Sequence, residues 1–172
     1  MNFLLVILFT CISNFSILPK NTVDAPHWYR PTVYNDYIDF FDDDGHLVGR
    51  LAFDATSSKA YFSSPTLTLR FQTKGFFDGE IKIADKYNRN KLGIIRKTNK
   101  KRNRLVMFDG REYSINLKEM SISEDGVMLL QFKEKSKNEF VVHSYVHNKQ
   151  EMLELNAILM YGRIAWMFGG AG

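Results

Sequence analysis

The sequence predicts a mainly β domain: a closed or nearly closed antiparallel β-barrel, built as a meander of two related halves around an apolar C-terminal helix. Three observations predict it. Segments with apolar residues at alternate positions fill the middle of the chain, four Asp-Gly dipeptides lie among them, and the chain ends in a helical segment that is apolar on all sides. At 172 residues, of which 45% are apolar, the chain suits one domain with a substantial core.

An apolar leader opens the chain, and we place it at residues 1–22, ahead of a single tubby-like domain at 23–172. Its apolar run, 3–12, is too short to span a bilayer and has the length of a signal-peptide core, but it lacks the usual flanking positive charge. We interpret it as a cleaved or anchoring export segment, as a first ordered element, or as a misassigned start. The compartment is therefore open, with export or membrane association favoured over the cytoplasm.

Strands are predicted wherever apolar and polar residues alternate. In the segment 66–72, Leu67, Leu69 and Phe71 alternate with polar residues, which is typical of a strand with one buried face. The same pattern predicts strands at 37–41, 47–53, 60–62, 80–84, 92–96, 105–108, 112–117, 127–132 and 140–145. The Asp-Gly dipeptides at 44–45, 78–79, 109–110 and 125–126 supply the positive φ angles of tight hairpins, so the strands are expected to run antiparallel in chain order.

A weak internal repeat supports two related halves. The segment 37–53 places an apolar pair, an acidic turn, Gly49 and a return strand much as the segment 80–96 does around Gly93. Two such halves build a closed or nearly closed sheet, which removes exposed edges.

The C-terminal helix is predicted at about 149–168. Asn148 is expected to cap it, with Glu151 completing a capping box, and both helix faces are apolar from Leu155 onward. About 14 apolar residues at a rise of 1.5 Å span roughly 21 Å, less than the roughly 30 Å of a bilayer core, and Arg163 adds a charge. We therefore expect the helix to fill the core of the sheet.

These paired units of apolar strand, acidic turn, glycine and return strand, followed by hairpins and an apolar helix, resemble the tubby-like C-terminal superfamily. That superfamily includes the tubby proteins, the phospholipid scramblases and the plant LURP-one-related proteins. The resemblance covers about 37–168 and implies a closed barrel around its C-terminal helix. It also implies a non-enzymatic or membrane-associated role, although neither a tubby-type C-terminal signature nor a scramblase calcium segment is present.

The strongest functional feature of the sequence is a basic loop at 96–104, which holds six of the 23 basic residues and no acidic one. The other 17 basic residues face 19 acidic ones, so the net charge of +4 comes from this loop. Such a cluster attracts phosphate on an anionic membrane surface or on nucleic acid, and nucleic acid is disfavoured because the loop has no aromatic residue to stack on a base. The predicted anion- or lipid-binding residues are Arg96, Lys97, Lys100, Lys101, Arg102 and Arg104. The plain alternative is a solvated hairpin loop.

Other candidate sites are weaker, and no catalytic residue, metal or cofactor is expected. The acidic stretch 42–45 lacks the glutamate at the twelfth position that a calcium loop needs, so we interpret it as a turn. His143 and His147 do not share a helical face. The single cysteine, Cys11, lies in the leader, and no G-x-S-x-G motif occurs.

We therefore expect a non-enzymatic binding or scaffold protein that contacts anionic lipid headgroups or phosphate-bearing ligands through the basic loop. The alternatives are an exported structural or protein-interaction barrel without a ligand, and an enzyme with a dispersed active site. Ligand, protein partner and oligomeric state are not defined by the sequence.

Overall fold

The computed structural model describes residues 30–33, 36–54, 58–73, 79–98, 103–136 and 139–169, and the predicted leader at 1–22 lies outside them. The described residues form twelve strands and a C-terminal helix. The first six strands are β1 (Arg30–Val33), β2 (Tyr37–Phe41), β3 (Leu47–Phe53), β4 (Lys59–Ser63), β5 (Thr68–Thr73) and β6 (Glu80–Asp85). They are followed by β7 (Lys91–Lys97), β8 (Asn103–Met107), β9 (Glu112–Asn116), β10 (Ser121–Glu124), β11 (Val127–Ser136), β12 (Glu139–Ser144) and the helix α1 (Lys149–Gly169).

The strands form an antiparallel meander in which neighbours in sequence pair with each other. Strand β1 pairs with β2 at four positions and with β12 at Thr32 opposite Glu139, so the strand order is β1, β12, β11 and so on down to β2. The mainly β prediction, an antiparallel meander with a C-terminal helix, is confirmed. Strands β1 and β10 were not predicted: β1 contains Pro31, and β10 has a single apolar residue, Ile122.

The predicted hairpin signals are confirmed at the glycines of all four Asp-Gly dipeptides, which have φ between +74° and +98°. In the β10–β11 turn Asp125 also has a positive φ, and the flanking residues Glu124 and Val127 pair directly. Two consecutive positive φ angles match the right-handed twist of the strands they join. The dipeptide therefore fixes both the turn and its register.

Helix α1 is buried on all sides along its centre, from residue 152 to 162, which confirms its predicted position in the core. Asn148 caps it: the Oδ1 atom accepts hydrogen bonds from the backbone N–H groups of Gln150 at 2.9 Å and Glu151 at 3.1 Å. The Glu151 carboxylate, expected to complete a capping box, instead accepts a bond from the Tyr113 hydroxyl at 2.6 Å. In the part of the chain that the structure describes, no helix combines the length and the apolar character needed to cross a bilayer.

The C-terminal part of α1 packs against the end of the sheet that is opposite to the start of the helix. The Tyr161 ring stacks on Phe71, with centroids 4.8 Å apart, and the Tyr161 hydroxyl donates to the carbonyl of Ser58 at 3.2 Å. Burial raises the pKa of Tyr161 to about 12, so the phenol stays a neutral donor near neutral pH. Arg163 donates to the carbonyl of Leu117 at 3.3 Å. The β6–β7 and β8–β9 turns thus lie at the end where the helix begins, and the C-terminal end of β7 lies at the end where it finishes.

The internal repeat has the same register in both halves. In the first, Ile38 lies opposite Leu51, Phe40 lies opposite Gly49, and a β-bulge follows Phe40. In the second half, residue 81 lies opposite 95, residue 83 opposite Gly93, and a β-bulge follows residue 83.

Each repeat glycine lies under a large side chain of the next strand. A Cβ atom on Gly49 would lie 2.6 Å from the Phe62 ring, and one on Gly93 would lie 2.7 Å from the Met107 sulfur. A side chain at either position would therefore force its neighbour to shift.

Candidate functional site: a basic groove on the outer face of the sheet

The predicted basic loop is only partly described. Arg96 and Arg104 lie opposite each other on β7 and β8, both exposed, while Lys100, Lys101 and Arg102 lie outside the described residues. Each arginine is paired with a carboxylate of an adjacent strand: Arg96 with Glu80 at 3.4 Å, and Arg104 with Glu112 in a close contact. These two cations are therefore partly neutralised.

Beside Arg96, a groove of about 400 Å³ runs over the outer face of β5, β6 and β7, with Phe108 from the β8–β9 turn at its edge. The volume falls within the range of small-molecule sites, roughly 300–1,000 Å³. The described residues that line the groove are five cations, one carboxylate and several apolar or neutral residues: Arg70, Lys82, Arg89, Lys91 and Arg96; Glu80; and Gln72, Ile83, Ala84, Gly93, Ile94 and Phe108.

The register of the strands explains the shape of the groove. Ala84 on β6 lies opposite Arg70 on β5 and opposite Lys91 on β7, so a small side chain separates two cations. The β-bulge between Ile83 and Ala84 adds local twist and bends the sheet. Strands β5 and β7 are about 10 Å apart across β6, which leaves room for a ligand group between the two cations.

The cations concentrate toward the β6–β7 turn. We refer to Arg70, Arg89 and Lys91 as the three-cation cluster; Glu80, the carboxylate that lines the groove, lies toward the other end. Along β6, Glu80 is four residues from Ala84, a distance of about 14 Å at the rise of an antiparallel strand. Glu80 offsets the charge of Arg96 at its own end of the groove and is far from the three-cation cluster. The three-cation cluster is therefore the strongest positive region of the groove.

The cluster contains one unpaired donor and one turn residue with a strained backbone. The Nε atom of Arg70 is buried and has no hydrogen-bond partner among the described residues, while its Nη2 atom donates to Gln72 at 3.3 Å. Arg89 has a φ of +59°, a conformation that costs a non-glycine residue about 1–2 kcal/mol. Unpaired donors and local strain are common features of binding sites.

The sequence did not reveal this groove, because its cations are spread over residues 70–96. Each is an ordinary strand or turn residue when taken singly, and only Arg96 belongs to the predicted basic loop. A usable signal existed: the outward positions of the strands predicted at 66–72, 80–84 and 92–96 carry Arg70, Lys82 and Arg96 against Glu80.

A second polar cluster lies where α1 begins. Arg111 contacts Asp109 at 2.6 Å, Glu154 at 2.9 Å and Glu151 at 3.4 Å. Hydrogen bonding to Arg111 lowers the pKa of Asp109, whereas burial raises the pKa of Glu154 even though Arg111 opposes the shift. Burial, followed by the hydrogen bond to Glu151, raises the pKa of Tyr113. All the polar groups of this cluster are engaged with one another, so it anchors the helix to the β8–β9 turn.

The acidic stretch at 42–45 forms a turn, as predicted. Asp42 accepts a hydrogen bond from the backbone N–H of His46 at 2.7 Å, and this bond lowers the pKa of Asp42. The side chains of Asp42, Asp44 and His46 lie near one another on the surface. The intraturn hydrogen bonds explain this arrangement, and His143 and His147 do not belong to it.

No family model matches the sequence, and no curated protein matches it. Among solved structures, the chain is similar to the X-ray structure of a protein from Arabidopsis thaliana, with a TM-score of 0.52 and 11% identity over 80% of this chain and 93% of that one. At that identity the similarity shows the fold alone.

Proposed function

We propose that this protein is a non-enzymatic binding protein whose outer groove takes a phosphate-bearing ligand. The observation that carries the proposal is the lining of the groove by five cations and one carboxylate. Closely spaced ammonium and guanidinium groups repel one another, and an anion relieves that repulsion while forming charge-assisted hydrogen bonds. The guanidinium of Arg70, which lines the groove, is a candidate for such a bond.

Binding is proposed rather than catalysis because of the residue types that line the groove. Among the residues that the structure describes, they include no Ser, Thr, Cys or His, and the Glu80 carboxylate is engaged with Arg96. A groove with these groups can hold an anion but has neither an activated nucleophile nor a pair of acid and base groups.

The predicted basic loop extends this proposed site. It begins at Arg96, which lines the groove and lies opposite Arg104. The group that we propose to bind is a phosphate, and either an anionic lipid headgroup or a free phosphate ester would supply it.

We also propose that the sheet is closed into a barrel through β1, and that the chain belongs to the tubby-like superfamily. The pairing of Thr32 with Glu139 and the equal register of the two repeat halves support these proposals. Closure would hold the groove strands at a fixed curvature around α1.

The test compares two triple variants with the same change in charge. The groove variant carries Arg70→Gln, Lys82→Gln and Lys91→Gln, and the control carries the same change at the exposed lysines 118, 133 and 135. Tripolyphosphate binding is measured by calorimetry, and retention on phosphatidylcholine vesicles with and without phosphatidic acid is measured by sedimentation.

Each lost charged hydrogen bond is worth roughly 1.5–3 kcal/mol, so the groove variant should bind tripolyphosphate at least about a hundredfold more weakly. The control variant should bind like the parent, and both should melt near the parent temperature. If retention on vesicles with phosphatidic acid is also lost in the groove variant and kept in the control, the phosphate belongs to a lipid headgroup. If the parent binds tripolyphosphate but is not retained on these vesicles, the ligand is a free phosphate ester. Equal binding by the two variants, or no binding by the parent, would overturn the proposal.

A further inference from the structure

We infer that the ligand is a small phosphate ester that carries a planar ring, with its phosphate at the three-cation cluster and its ring against Phe108. This inference rests on the proposed function and names the class of ligand. It depends on three observations: the position of Phe108, the small residues beside it, and the engagement of the nearby carboxylates.

Phe108 is the aromatic residue among the described residues that line the groove, and 57% of it is exposed. It follows β8, and its backbone N–H donates to the carbonyl of Leu92 at 2.8 Å, which fixes it beside the start of β7. That is the end of the groove where Lys91 and Arg89 lie. An exposed ring is therefore held next to the strongest positive region of the groove.

The floor between the ring and the cations is made of small or apolar residues. Ala84 has a single methyl group, and Ile94 is only 9% exposed although it lies on the outer face. Such a floor lets a flat group approach the backbone and contact Phe108 edge to face or offset. A ligand with charge alone would leave this apolar surface unused.

Two carboxylates that adjoin groove residues in the sequence are already engaged. Asp85, next to Ala84, accepts hydrogen bonds from the backbone N–H groups of Tyr87 at 2.8 Å and Asn88 at 2.9 Å. Asp109, next to Phe108, is held by Arg111. Neither carboxylate lines the groove, so a phosphate and an aromatic ring can lie side by side without a facing negative charge.

The test uses phenyl phosphate and glycerol phosphate, which share the phosphate but differ in the ring. Each is titrated into the parent protein, Phe108→Ala, Arg70→Gln, and the control Tyr87→Ala. Tyr87 is 76% exposed and lies in the β6–β7 turn, but it does not line the groove.

The parent should bind phenyl phosphate about three- to tenfold more tightly than glycerol phosphate, the usual strength of an aromatic contact. Phe108→Ala should remove that preference and leave glycerol phosphate binding unchanged. Arg70→Gln should weaken both by about tenfold or more, and Tyr87→Ala should change neither.

The failure of this inference differs from the failure of the proposed function. Equal affinity of the parent for the two esters, or an equal loss of both in Phe108→Ala, would overturn the ring-binding inference and leave phosphate binding in place. Failure of the parent to bind either ester or tripolyphosphate would overturn both.

Discussion

Replacing Arg111 by Met should destabilise the protein strongly, because it leaves a nearly buried carboxylate without its cation. The Glu154 side chain is only 10% exposed, and its Oε2 atom lies 2.9 Å from Nη2 of Arg111. At that separation the attraction is about 6 kcal/mol at an effective dielectric constant near 20 and about 1.4 kcal/mol in water. Removing one partner of a buried pair costs roughly 3–5 kcal/mol.

Since the Arg111 side chain is itself 31% exposed, the expected loss of unfolding free energy is somewhat smaller than for a fully buried pair, about 2–4 kcal/mol. For a chain of this size, such a loss lowers the melting temperature by roughly 6–12 °C. The matched control is Arg104→Met. It breaks the exposed pair with Glu112, whose side chains are 59% and 46% exposed, and should cost no more than about 1 kcal/mol.

The pH dependence of this loss is a sharper test than its size. Burial raises the pKa of Glu154, so the folded protein binds a proton more readily there than the unfolded chain does. Its contribution favours folding below the ordinary glutamate pKa of about 4.3 and is lost as pH rises through the raised value. Without Arg111 the pKa rises further, so the deficit of Arg111→Met should grow as pH rises above the ordinary glutamate pKa.

Urea unfolding of the parent, Arg111→Met, Glu154→Gln and the double variant gives the coupling between the two residues. The double variant should be more stable than Arg111→Met alone, because the amide introduced by Glu154→Gln carries no charge that needs a partner. A deficit below about 1 kcal/mol, a deficit independent of pH, or a double variant no more stable than Arg111→Met would refute the reasoning.

Two further substitutions test the core. Gly49→Ala places a Cβ atom 2.6 Å from the buried Phe62 ring, and should cost about 1–3 kcal/mol in urea unfolding; an unchanged midpoint would show that the ring moves freely. Asn156→Leu replaces a fully buried amide, whose two polar atoms have no partner among the described residues, by an apolar group of similar shape. It should stabilise the protein by about 1–2 kcal/mol in the same assay, whereas a loss of stability would show that the amide is satisfied in solution.

Much of the fold could be predicted because it depends on local patterns. The period-two alternation in 66–72 predicted β5, and the Asp-Gly dipeptides predicted the turns whose glycines have positive φ. The length of the apolar segment and the charge of Arg163 favoured burial of α1 over a membrane span. Strand β10 was missed because a strand with one apolar residue, Ile122, has no periodicity to detect. This strand forms because it pairs with β9 and β11 in the folded sheet.

The candidate site could not be predicted in the same way, because it depends on register rather than on local composition. A compact basic segment at 96–104 is visible in the sequence, but the partners of Arg96 and Arg104 come from β6 and β9. Conversely, Arg70 and Lys91 are 21 positions apart and face the same alanine only because of the pairing of β5, β6 and β7 and the bulge after Ile83. The similarity to the Arabidopsis structure shows the fold and adds no site residue.

The internal repeat shows that the groove depends on side chains as well as on backbone shape. The position of Lys82 opposite Ile94 in the second half corresponds to Asp39 opposite Arg50 in the first, and both halves have a β-bulge one residue farther along the strand. In the first half Arg50 binds both oxygens of the nearly buried Asp39, at 2.6 and 2.8 Å.

In the second half the equivalent of that carboxylate is Lys82, and the equivalent of its arginine is the apolar Ile94. Two copies of one strand unit thus carry, at the same place, a closed ion pair and an open basic groove. The ion pair of the first half shows that this strand unit folds without unpaired cations at this position. The backbone of the second half therefore does not require the cations of the groove.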